Sequence, residues 1–340
     1  MNGIGIGIIG VGRRGIAHLR IFSQIKRAKV IGVFDLNLDR ARTVAKEWNV
    51  RVYSSYEEML RDADIDSIVI ATPDFTHAEL TLRALEAEKN VLCEIPMAYT
   101  YEEVVRIVRA VEKSGKIYLL GQEVRYWPIF KKIKELIEEE FFGDVFYVET
   151  EYLHNIEDLI KETPWRRRQT TMLGGGPHAV DILQWMLGDL TEVFAYSTKT
   201  IKSQLIEDFT VALFKSKRGI IGRVVVAYGI KRPYSLSIRI YGTKGSFEQD
   251  TYPWSYKSGI IFKEPNFNRG KKLIVEEETV PIRVHGAADY LQALNFVYSI
   301  LGFEKPLIDV YEAAKITNAC IAALESSAKN KPIKIPTIEV

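Results

Sequence analysis

The sequence predicts an α/β protein in which a doubly wound parallel sheet is followed by an α+β region with a large, mostly antiparallel open sheet. Two observations carry this prediction. Short apolar runs alternate with helical stretches over roughly the first third of the chain, and the later strands alternate apolar with polar residues. The length of 340 residues allows about two domains, each with its own core.

The predicted elements of the first half alternate in type along the chain. Five apolar runs are typical of buried parallel strands: Ile4–Ile9, Val30–Phe34, Ser67–Ala71, Val91–Cys93 and Ile117–Leu120. Helical periodicity lies between them at Gly15–Ile25, Leu38–Trp48, Tyr56–Arg61, Phe75–Ala87 and Tyr101–Lys113. We therefore expect a first domain over residues 1–122.

The second half changes pattern after a charged helix at Pro128–Glu140. Six alternating segments predict antiparallel strands: Val145–His154, Glu192–Thr200, Asp208–Lys215, Ile220–Tyr228, Ser235–Tyr241 and Lys272–Glu278. Helices are predicted at Pro177–Leu187, Ala287–Leu301 and Val310–Ala328, and a loop or partner contact at Asp250–Gly270. The second domain is expected to span residues 123–340, and its C-terminal helices could pack back on the first.

The composition argues against several classes of function. The net charge is only +2, so neither a nucleic acid nor a membrane surface is an expected partner. Two cysteines form neither a metal cluster nor a disulfide framework, which fits a cytoplasmic protein. With five scattered histidines, no metal site is expected. No secretory signal and no membrane-spanning apolar run is visible.

A glycine-rich turn indicates a dinucleotide site. Residues 10–15 match the pattern GxGxxG between an apolar strand and a helix. Gly10 would allow a tight turn, Gly12 would let the backbone approach a pyrophosphate, and Gly15 would permit close packing of helix on strand. The intervening Arg13 and Arg14 belong to the same predicted cofactor site.

An acid after the second predicted strand indicates the cofactor. Asp35 follows Gly15 by 20 residues, where a carboxylate binds the adenosine ribose and repels a 2′-phosphate. Leu36 follows, where an NADP enzyme would often offer Arg. NAD is therefore predicted, with NADP less favoured. The alternative is that Asp35 only caps the next helix.

Two further turns lie at the ends of parallel strands, where ligands bind in such sheets. They are Ala71-Thr72-Pro73-Asp74-Phe75-Thr76-His77 and Glu94-Ile95-Pro96. Together with the glycine turn, they resemble the sugar oxidoreductase family named after glucose-fructose oxidoreductase, inositol dehydrogenase and the MocA proteins. The resemblance implies an N-terminal Rossmann domain in which Thr72, Pro73 and His77 lie on the nicotinamide side. It places Glu94 near the nicotinamide ribose, with Pro96 in a turn that could hold a cis bond.

The resemblance is broken at two catalytic positions. Relatives carry Lys in the Glu-Lys-Pro turn, where this chain has Ile95, and Asp four residues before the active-site His, where it has Gly174. The family His corresponds to His178. Asp181, one helical turn later, could orient its imidazole. By resemblance, Trp165 and Arg166 line the nicotinamide and the substrate.

One branch of the family works as NAD-dependent glycosidases that also lack the Lys. The segment Tyr152-Leu153-His154 resembles its Tyr-x-His, and strand alternation places both polar side chains on one face. The resemblance breaks at Gln122, a predicted cofactor-side residue where that branch has Glu, and at Gly175, where it tends to have Tyr.

Three functions follow from these residues. The first is an NAD-dependent dehydrogenase of a sugar or cyclitol with a His base, His178 or His154, assisted by Tyr152 or Asp181. The second is a glycosidase that oxidises, eliminates and re-reduces. The third is a dinucleotide-binding protein without catalysis. The family resemblance also implies a homodimer or homotetramer formed through the outer face of the antiparallel sheet.

Overall fold

The computed structural model describes residues 3–249, 258–263, 270–274 and 287–338. The chain forms two compact units. The first comprises Met1–Glu123 and Thr279–Ala314, and the second Val124–Glu278 and Lys315–Val340. The domain limits drawn from the sequence, 1–122 and 123–340, stay a prediction; in the structure Thr279–Ala314 belong to the first unit.

The first unit alternates strands and helices in the predicted order. Its elements up to the boundary are β1 Ile4–Ile9, α1 Arg13–Phe22, β2 Ala28–Phe34, α2 Leu38–Trp48, β3 Arg51–Val52, α3 Tyr56–Arg61, β4 Ser67–Ile70, α4 His77–Glu86, β5 Asn90–Glu94, α5 Tyr101–Ser114 and β6 Tyr118–Gly121. Local chemistry sets several ends. Thr100 and Glu103 form a capping box at the start of α5, and Gly115 ends that helix in the left-handed region, with φ of 64°.

The six strands form one parallel sheet in the order β3-β2-β1-β4-β5-β6. The first strand, β1, lies inside the sheet, and β2 and β3 are added on one side of it. The chain then crosses to the other side of β1, where β4, β5 and β6 follow in order. This reversal makes β1 and β4 neighbours and leaves a switch point at their carboxyl ends. The doubly wound parallel sheet predicted from the sequence is confirmed.

The second unit begins with a helix and is dominated by a sheet. Its elements in chain order are α6 Pro128–Glu138, β7 Val145–Leu153, α7 Glu157–Glu162, α8 Thr171–Gly174, α9 Gly176–Leu187, β8 Leu190–Thr198, β9 Phe209–Ser216, β10 Ile221–Ala227, β11 Ser235–Gly242, β12 Ser246–Gln249, β13 Ser258–Phe262 and β14 Lys271–Ile274. Strand β13 falls inside the segment predicted as a loop, whose other residues lie largely outside the described ranges.

Three elements close the chain: α10 Ala287–Ile300, α11 Val310–Lys329 and β15 Ile333–Lys334. Helix α10 packs on α1 in the core of the first unit, where the rings of Phe22 and Phe296 meet edge to face with centroids 6.4 Å apart. Among the described residues, no helix is both long and apolar enough to span a bilayer.

The large sheet runs β14-β13-β12-β11-β7-β10-β9-β8-β15 and is antiparallel except where β7 pairs with β10. Helix α9 packs on one face, with the Thr150 hydroxyl donating to the Ala179 carbonyl at 2.9 Å. The opposite face, which we call the outer face, carries an ion cluster of Glu149, Arg223 and Arg239. The predicted mostly antiparallel sheet is confirmed, and residues 152 and 154 share the helix-covered face.

Candidate active site

The glycine turn has the geometry that a dinucleotide requires. Gly10 has φ of 83°, a conformation that side chains disfavour. A Cβ on Gly15 would lie 1.8 Å from the Gly10 carbonyl oxygen, so helix α1 can approach β1 only without a side chain there. A Cβ on Gly12 would have nothing within 4 Å, so the backbone faces open space at the N-terminus of α1.

Asp35 lies directly after β2 and is almost fully buried. Its Oδ2 accepts from the Val11 N–H at 2.9 Å, which links it to the glycine turn. Its Oδ1 accepts from the Asn37 N–H and from Nη2 of Arg40, both at 2.8 Å. The cap of α2 is Asn37, whose side chain accepts from the Arg40 N–H, so the alternative of Asp35 as the helix cap is wrong.

A buried charge network lies beside the turn. Arg14 donates to Glu94 through Nε at 2.9 Å and to Asp289 through Nη1 at 3.0 Å. His18, one turn further along α1, places Nε2 2.5 Å from Glu94 Oε1. Burial alone would raise the pKa of the Glu94 carboxyl, but Arg14 and His18 outweigh it and hold that pKa well below its usual range. Glu94, at the end of β5, is therefore a carboxylate anion held by Arg14 and His18 of α1.

Glu123, two residues past β6, belongs to the same network. Burial and the neighbouring Asp289 carboxylate raise the pKa of Glu123 to about 7, against the opposing effect of Arg14. The cluster therefore holds a group that exchanges a proton near neutral pH. The short spacing of Arg14 and His18 was visible in the sequence, but no pattern pointed to Asp289, which is 275 residues from Arg14.

The turns after β4 and β5 are joined by His77, which is almost fully buried. Its Nδ1 lies 2.8 Å from the Pro96 carbonyl oxygen and its Nε2 3.1 Å from that of Thr72. Burial opposes an imidazolium, but Cys93 and the Pro96 carbonyl outweigh it and raise the pKa of the ring to about 9. Both ring nitrogens thus face backbone carbonyls.

The Ile95–Pro96 bond is cis, and the Ile95 side chain is half-buried. Gln122 follows β6, and its side chain is fully buried, with neither amide atom hydrogen-bonded to a described residue. An orphaned amide of this kind is a group that a bound ligand or water can satisfy. Together with the open space over Gly12 and the carboxylate of Asp35, it fits a dinucleotide.

In the second unit, aromatic and imidazole rings cluster at the end of β7. The Tyr152 hydroxyl lies 3.1 Å from His154 Nδ1. The Tyr152 ring stacks on that of His178, with centroids 5.2 Å apart and planes 8° apart. Tyr234 meets both Tyr152 and His154 edge on, at 5.4 and 5.1 Å. The structure thus brings together three of the four predicted catalytic residues.

Two glycines make room for this cluster. A Cβ on Gly175 would lie 2.5 Å from the Tyr152 ring, and a Cβ on Gly174 would lie 2.0 Å from the Tyr228 hydroxyl. Tyr228 is itself buried beside the end of β10. The Tyr228 hydroxyl therefore occupies the space that a side chain at position 174 would take. No motif in the sequence pointed to Tyr228.

Asp181, the fourth predicted catalytic residue, is held in an ion pair. It is fully buried, and its Oδ1 accepts from Nε and Nη2 of Arg125, both at 2.7 Å. Arg125 also lies over the Trp185 ring, 5.6 Å from its centroid. Removing either partner of this buried pair would leave an uncompensated charge, so the pair contributes to the fold. A part for Asp181 in orienting His178 stays a prediction from the sequence.

Trp165 and Arg166 lie in a short 3₁₀ turn at Pro164–Arg168. The Arg166 guanidinium lies over the Trp165 ring at 4.4 Å, and its Nη1 donates to Gln169 Oε1 at 2.8 Å. Gln169 in turn borders the space above Gly174. Within the described part of the chain, no group of three His, Cys, Asp or Glu side chains could hold a metal ion.

Comparison with known families gives matches over most of the chain. The model of an oxidoreductase family with an NAD-binding Rossmann fold, GFO_IDH_MocA, matches residues 4–122. The model of the GFO/IDH/MocA C-terminal domain matches residues 130–248.

Individual relatives are similar over nearly their whole length. An inositol 2-dehydrogenase/D-chiro-inositol 3-dehydrogenase of Shouchella clausii is 30% identical over 343 residues, 97% of this chain and 94% of that protein. An inositol 2-dehydrogenase of Rubrobacter xylanophilus is 27% identical, over 99% and 94%. A solved levoglucosan dehydrogenase in complex with NADH shares the fold, with a TM-score of 0.89 at 20% identity, covering 99% of this chain and 100% of that chain.

Proposed function

Because the chain belongs to the GFO_IDH_MocA family of NAD-binding oxidoreductases, we propose that it oxidises a secondary alcohol of a sugar, sugar derivative or cyclitol, with histidine rather than lysine as the acid/base group. The observation that carries this proposal is the contact of Tyr152 with both His154 and His178. Inositol dehydrogenases among the relatives support the substrate class.

The first unit supplies the cofactor site. Gly10, Gly12 and Gly15, with Arg13 beside them, would hold the pyrophosphate at the N-terminus of α1, and Asp35 would hold the adenosine ribose. Thr72, Pro73, Glu94 and Gln122, together with Trp165 and Arg166 of the second unit, are the proposed nicotinamide-side residues. When bound, NAD supplies the hydride acceptor.

Three residues act as supports in this proposal. Arg14 fixes Glu94 as an anion. His77 holds the two turns together through the carbonyls of Thr72 and Pro96, which leaves it no free ring nitrogen for a ligand. Ile95 offers only an aliphatic surface, so its proposed contribution is to exclude water beside the nicotinamide.

The second unit supplies the base. Oxidation of a carbinol to a ketone releases a hydride and the hydroxyl proton, and an imidazole is suited to accept that proton near neutral pH. We assign this step to His178, whose ring is held flat against Tyr152. The Tyr152 hydroxyl and His154 Nδ1 form a hydrogen-bonded pair on the same face, through which a proton can be relayed to or from the substrate.

An NADH absorbance assay tests the proposal. The full chain is mixed with NAD and a panel of free sugars, sugar acids and cyclitols, and absorbance is followed for each. The proposal expects NADH formation with at least one member and none with its deoxy analogue. A protein that binds NAD but forms no NADH with any carbinol would contradict it.

A second function, the NAD-dependent glycosidase, is favoured by a specific pairing. The Tyr152–His154 hydrogen bond provides an acid/base pair on the substrate side, while the aliphatic Ile95 stands where a dehydrogenase carries Lys. Such an enzyme would release an aglycone without net NADH. Aryl glycosides in the same assay distinguish the two reactions. Absence of both signals would leave a dinucleotide-binding protein without catalysis.

We also propose a homodimer or homotetramer built on the outer face of the large sheet. Five large apolar side chains on that face are more than a third exposed: Tyr196, Leu213, Ile221, Ile260 and Ile274. Strand register aligns Leu213 with Arg223 and Glu149, so the apolar rows flank the ion cluster. A patch of this kind is typical of a subunit interface.

Light scattering after size-exclusion chromatography tests this assembly. Leu213→Glu combined with Ile221→Glu should convert the oligomer to a monomer. Leu205→Glu, at an exposed leucine outside the sheet, is the control and should leave the mass unchanged. A monomeric wild-type chain would contradict the assembly. The cytoplasm is the proposed location, because both cysteines are buried and unpaired by disulfide.

A further inference from the structure

Both ring nitrogens of His77 lie against backbone carbonyl oxygens. Nδ1 is 2.8 Å from the Pro96 oxygen, and Nε2 is 3.1 Å from the Thr72 oxygen. A carbonyl oxygen only accepts hydrogen bonds, and a neutral imidazole has one N–H and one bare nitrogen. A neutral ring would therefore leave a lone pair facing one of the two oxygens. Only the imidazolium, which carries an N–H on each nitrogen, donates to both.

The surroundings of the ring fit a buried cation. His77 is only 1% exposed, so the ring is shielded from water. Burial disfavours the charged ring, but Cys93, the Pro96 carbonyl and Asp74 outweigh burial and raise the pKa of the ring to about 9. Asp74, three residues before the histidine, is almost fully buried itself. Cys93 of β5 in turn contacts Tyr118 of β6, and burial raises the pKa of that phenol well above its usual value, so Tyr118 adds no charge.

His77 joins the two turns that carry most of the proposed nicotinamide-side residues. The turn after β4 contains Thr72 and Pro73. The turn after β5 contains Pro96 and directly follows Glu94, the last residue of that strand. Hydrogen bonds from a cation are roughly twice as strong as those between neutral groups, so the protonated ring fixes both turns. A neutral ring would keep a hydrogen bond to only one of them.

We propose that His77 is an imidazolium in the folded protein and acts as a positioning residue, which holds both nicotinamide-side turns in place only while it keeps its proton. This inference rests on the cofactor site of the proposed function. Loss of the proton leaves one carbonyl without its donor and releases the turn that carries it. Binding of NAD then has to restore the proton, so the affinity for NAD is constant at neutral pH and falls as the pH rises through about 9.

Isothermal titration of the nucleotide-free full chain with NAD, from about pH 7 to 10, tests the positioning role, because binding is read without turnover. The wild-type affinity should be constant to about pH 8 and should then fall about tenfold by about pH 10, with uptake of one proton seen in buffers of different ionisation enthalpy. His77→Gln cannot carry a charge, so it should bind NAD about tenfold more weakly at neutral pH and lose the alkaline decline. The matched control is Glu79→Gln, at an exposed residue in the first turn of α4, which should keep the wild-type profile.

Nitrogen NMR of the full chain with isotope-labelled histidine reads the charge of the ring directly. The two nitrogens of an imidazolium resonate close together, whereas the protonated and bare nitrogens of a neutral ring resonate far apart. The His77 signal is assigned by its absence from His77→Gln. It should keep the imidazolium pattern at about pH 7.5, where an ordinary imidazole with a pKa of about 6.5 is mostly neutral.

The possible failures are distinguishable. A neutral His77 ring at neutral pH would overturn the inference, and so would a wild-type NAD affinity that stays constant up to the alkaline limit, or an alkaline decline that persists in His77→Gln. If thermal unfolding shows that His77→Gln does not fold, His77→Asn replaces it for the assignment, and the wild-type titration needs no variant. A wild-type chain that binds no NAD at neutral pH would overturn the proposed cofactor site and the positioning role, while the NMR pattern still decides the charge on His77.

Discussion

The rings of Tyr152 and His178 stack with centroids 5.2 Å apart and planes only 8° apart, although one lies in a strand and the other in a helix that starts at a run of three glycines. Gly175 makes this contact possible, because a Cβ there would lie 2.5 Å from the tyrosine ring. The imidazole is thereby held in one plane, which would preorganise the general base that we propose. Gly174 and Gly175 thus make room for the aromatic cluster.

His178→Ala should lower kcat by about a hundredfold to ten-thousandfold, the usual contribution of a general base. Its affinity for NAD should stay within about twofold, because the cofactor turn lies on other residues. Steady-state kinetics and a separate NAD titration check both. A large loss of NAD binding would assign His178 a structural role instead.

Tyr152→Phe removes one hydroxyl and with it the hydrogen bond to His154. We expect kcat/KM to fall about tenfold, the value of one such bond, while the ring still stacks on His178. The matched control is Tyr147→Phe, which removes a hydroxyl bonded to Glu149 at 3.2 Å on the outer face of the same strand. Equal losses in the two variants would argue against a role for the Tyr152 hydroxyl.

Gly12→Ala should affect mainly the affinity for NAD, whereas Gly15→Ala should affect mainly the stability of the fold. The methyl added at position 12 would meet nothing within 4 Å, so unfolding should shift by no more than about 2 °C, whereas NAD should weaken about tenfold as the pyrophosphate approach is blocked. At position 15 the methyl would lie 1.8 Å from a carbonyl oxygen, so that variant should lose about 2 kcal/mol or more. Calorimetry and titration report the two effects, and unchanged NAD affinity in Gly12→Ala would contradict the pyrophosphate assignment.

Glu123 predicts a pH dependence of stability. Its pKa of about 7 in the folded protein lies above the ordinary value of 4.5, so the folded state binds this proton more tightly than the unfolded state. The resulting stabilisation is complete below pH 4.5 and is lost as the pH rises through 7. Glu123→Gln should therefore flatten the decline in stability between about pH 5.5 and 8 by roughly 2 kcal/mol.

Urea unfolding at several pH values measures this decline. The control is Glu139→Gln, at an exposed glutamate immediately after α6, which should keep the wild-type slope. A Glu123→Gln variant with the wild-type slope would show that another group carries the pH dependence. The Glu94 carboxyl works in the opposite sense, since its lowered pKa contributes stability above its ordinary value that is lost in acid.

Much of the fold was predictable because it follows from local patterns. Helices α2 and α3 begin and end at the predicted residues, and the side chains of Asn37 and Ser55 cap their N-termini. Short elements without a strong period were not predicted, among them β3 and β13. Two-residue and mixed-polarity strands acquire their structure from the neighbour they pair with, which a local pattern does not contain.

The candidate site was predictable where a motif fixes spacing and not where distant segments meet. The glycine turn, Asp35 and the shared face of Tyr152 and His154 follow from a motif or a strand period. The pairing of Asp181 with Arg125 was not foreseen, because the two residues are 56 positions apart. A spacing of three residues along a helix places two side chains near each other. A buried carboxylate also needs an opposite charge, and the helical pattern does not say which residue supplies it.

The most direct test of the central claim follows NADH absorbance and aglycone release in the same wells, with the full chain, NAD, free sugars, cyclitols and aryl glycosides. The account predicts growth of NADH with a free sugar or cyclitol, abolished in His178→Ala and retained in Tyr147→Phe. Aglycone release without net NADH, or neither signal from a protein that binds NAD, would contradict a dehydrogenase that uses histidine as its base.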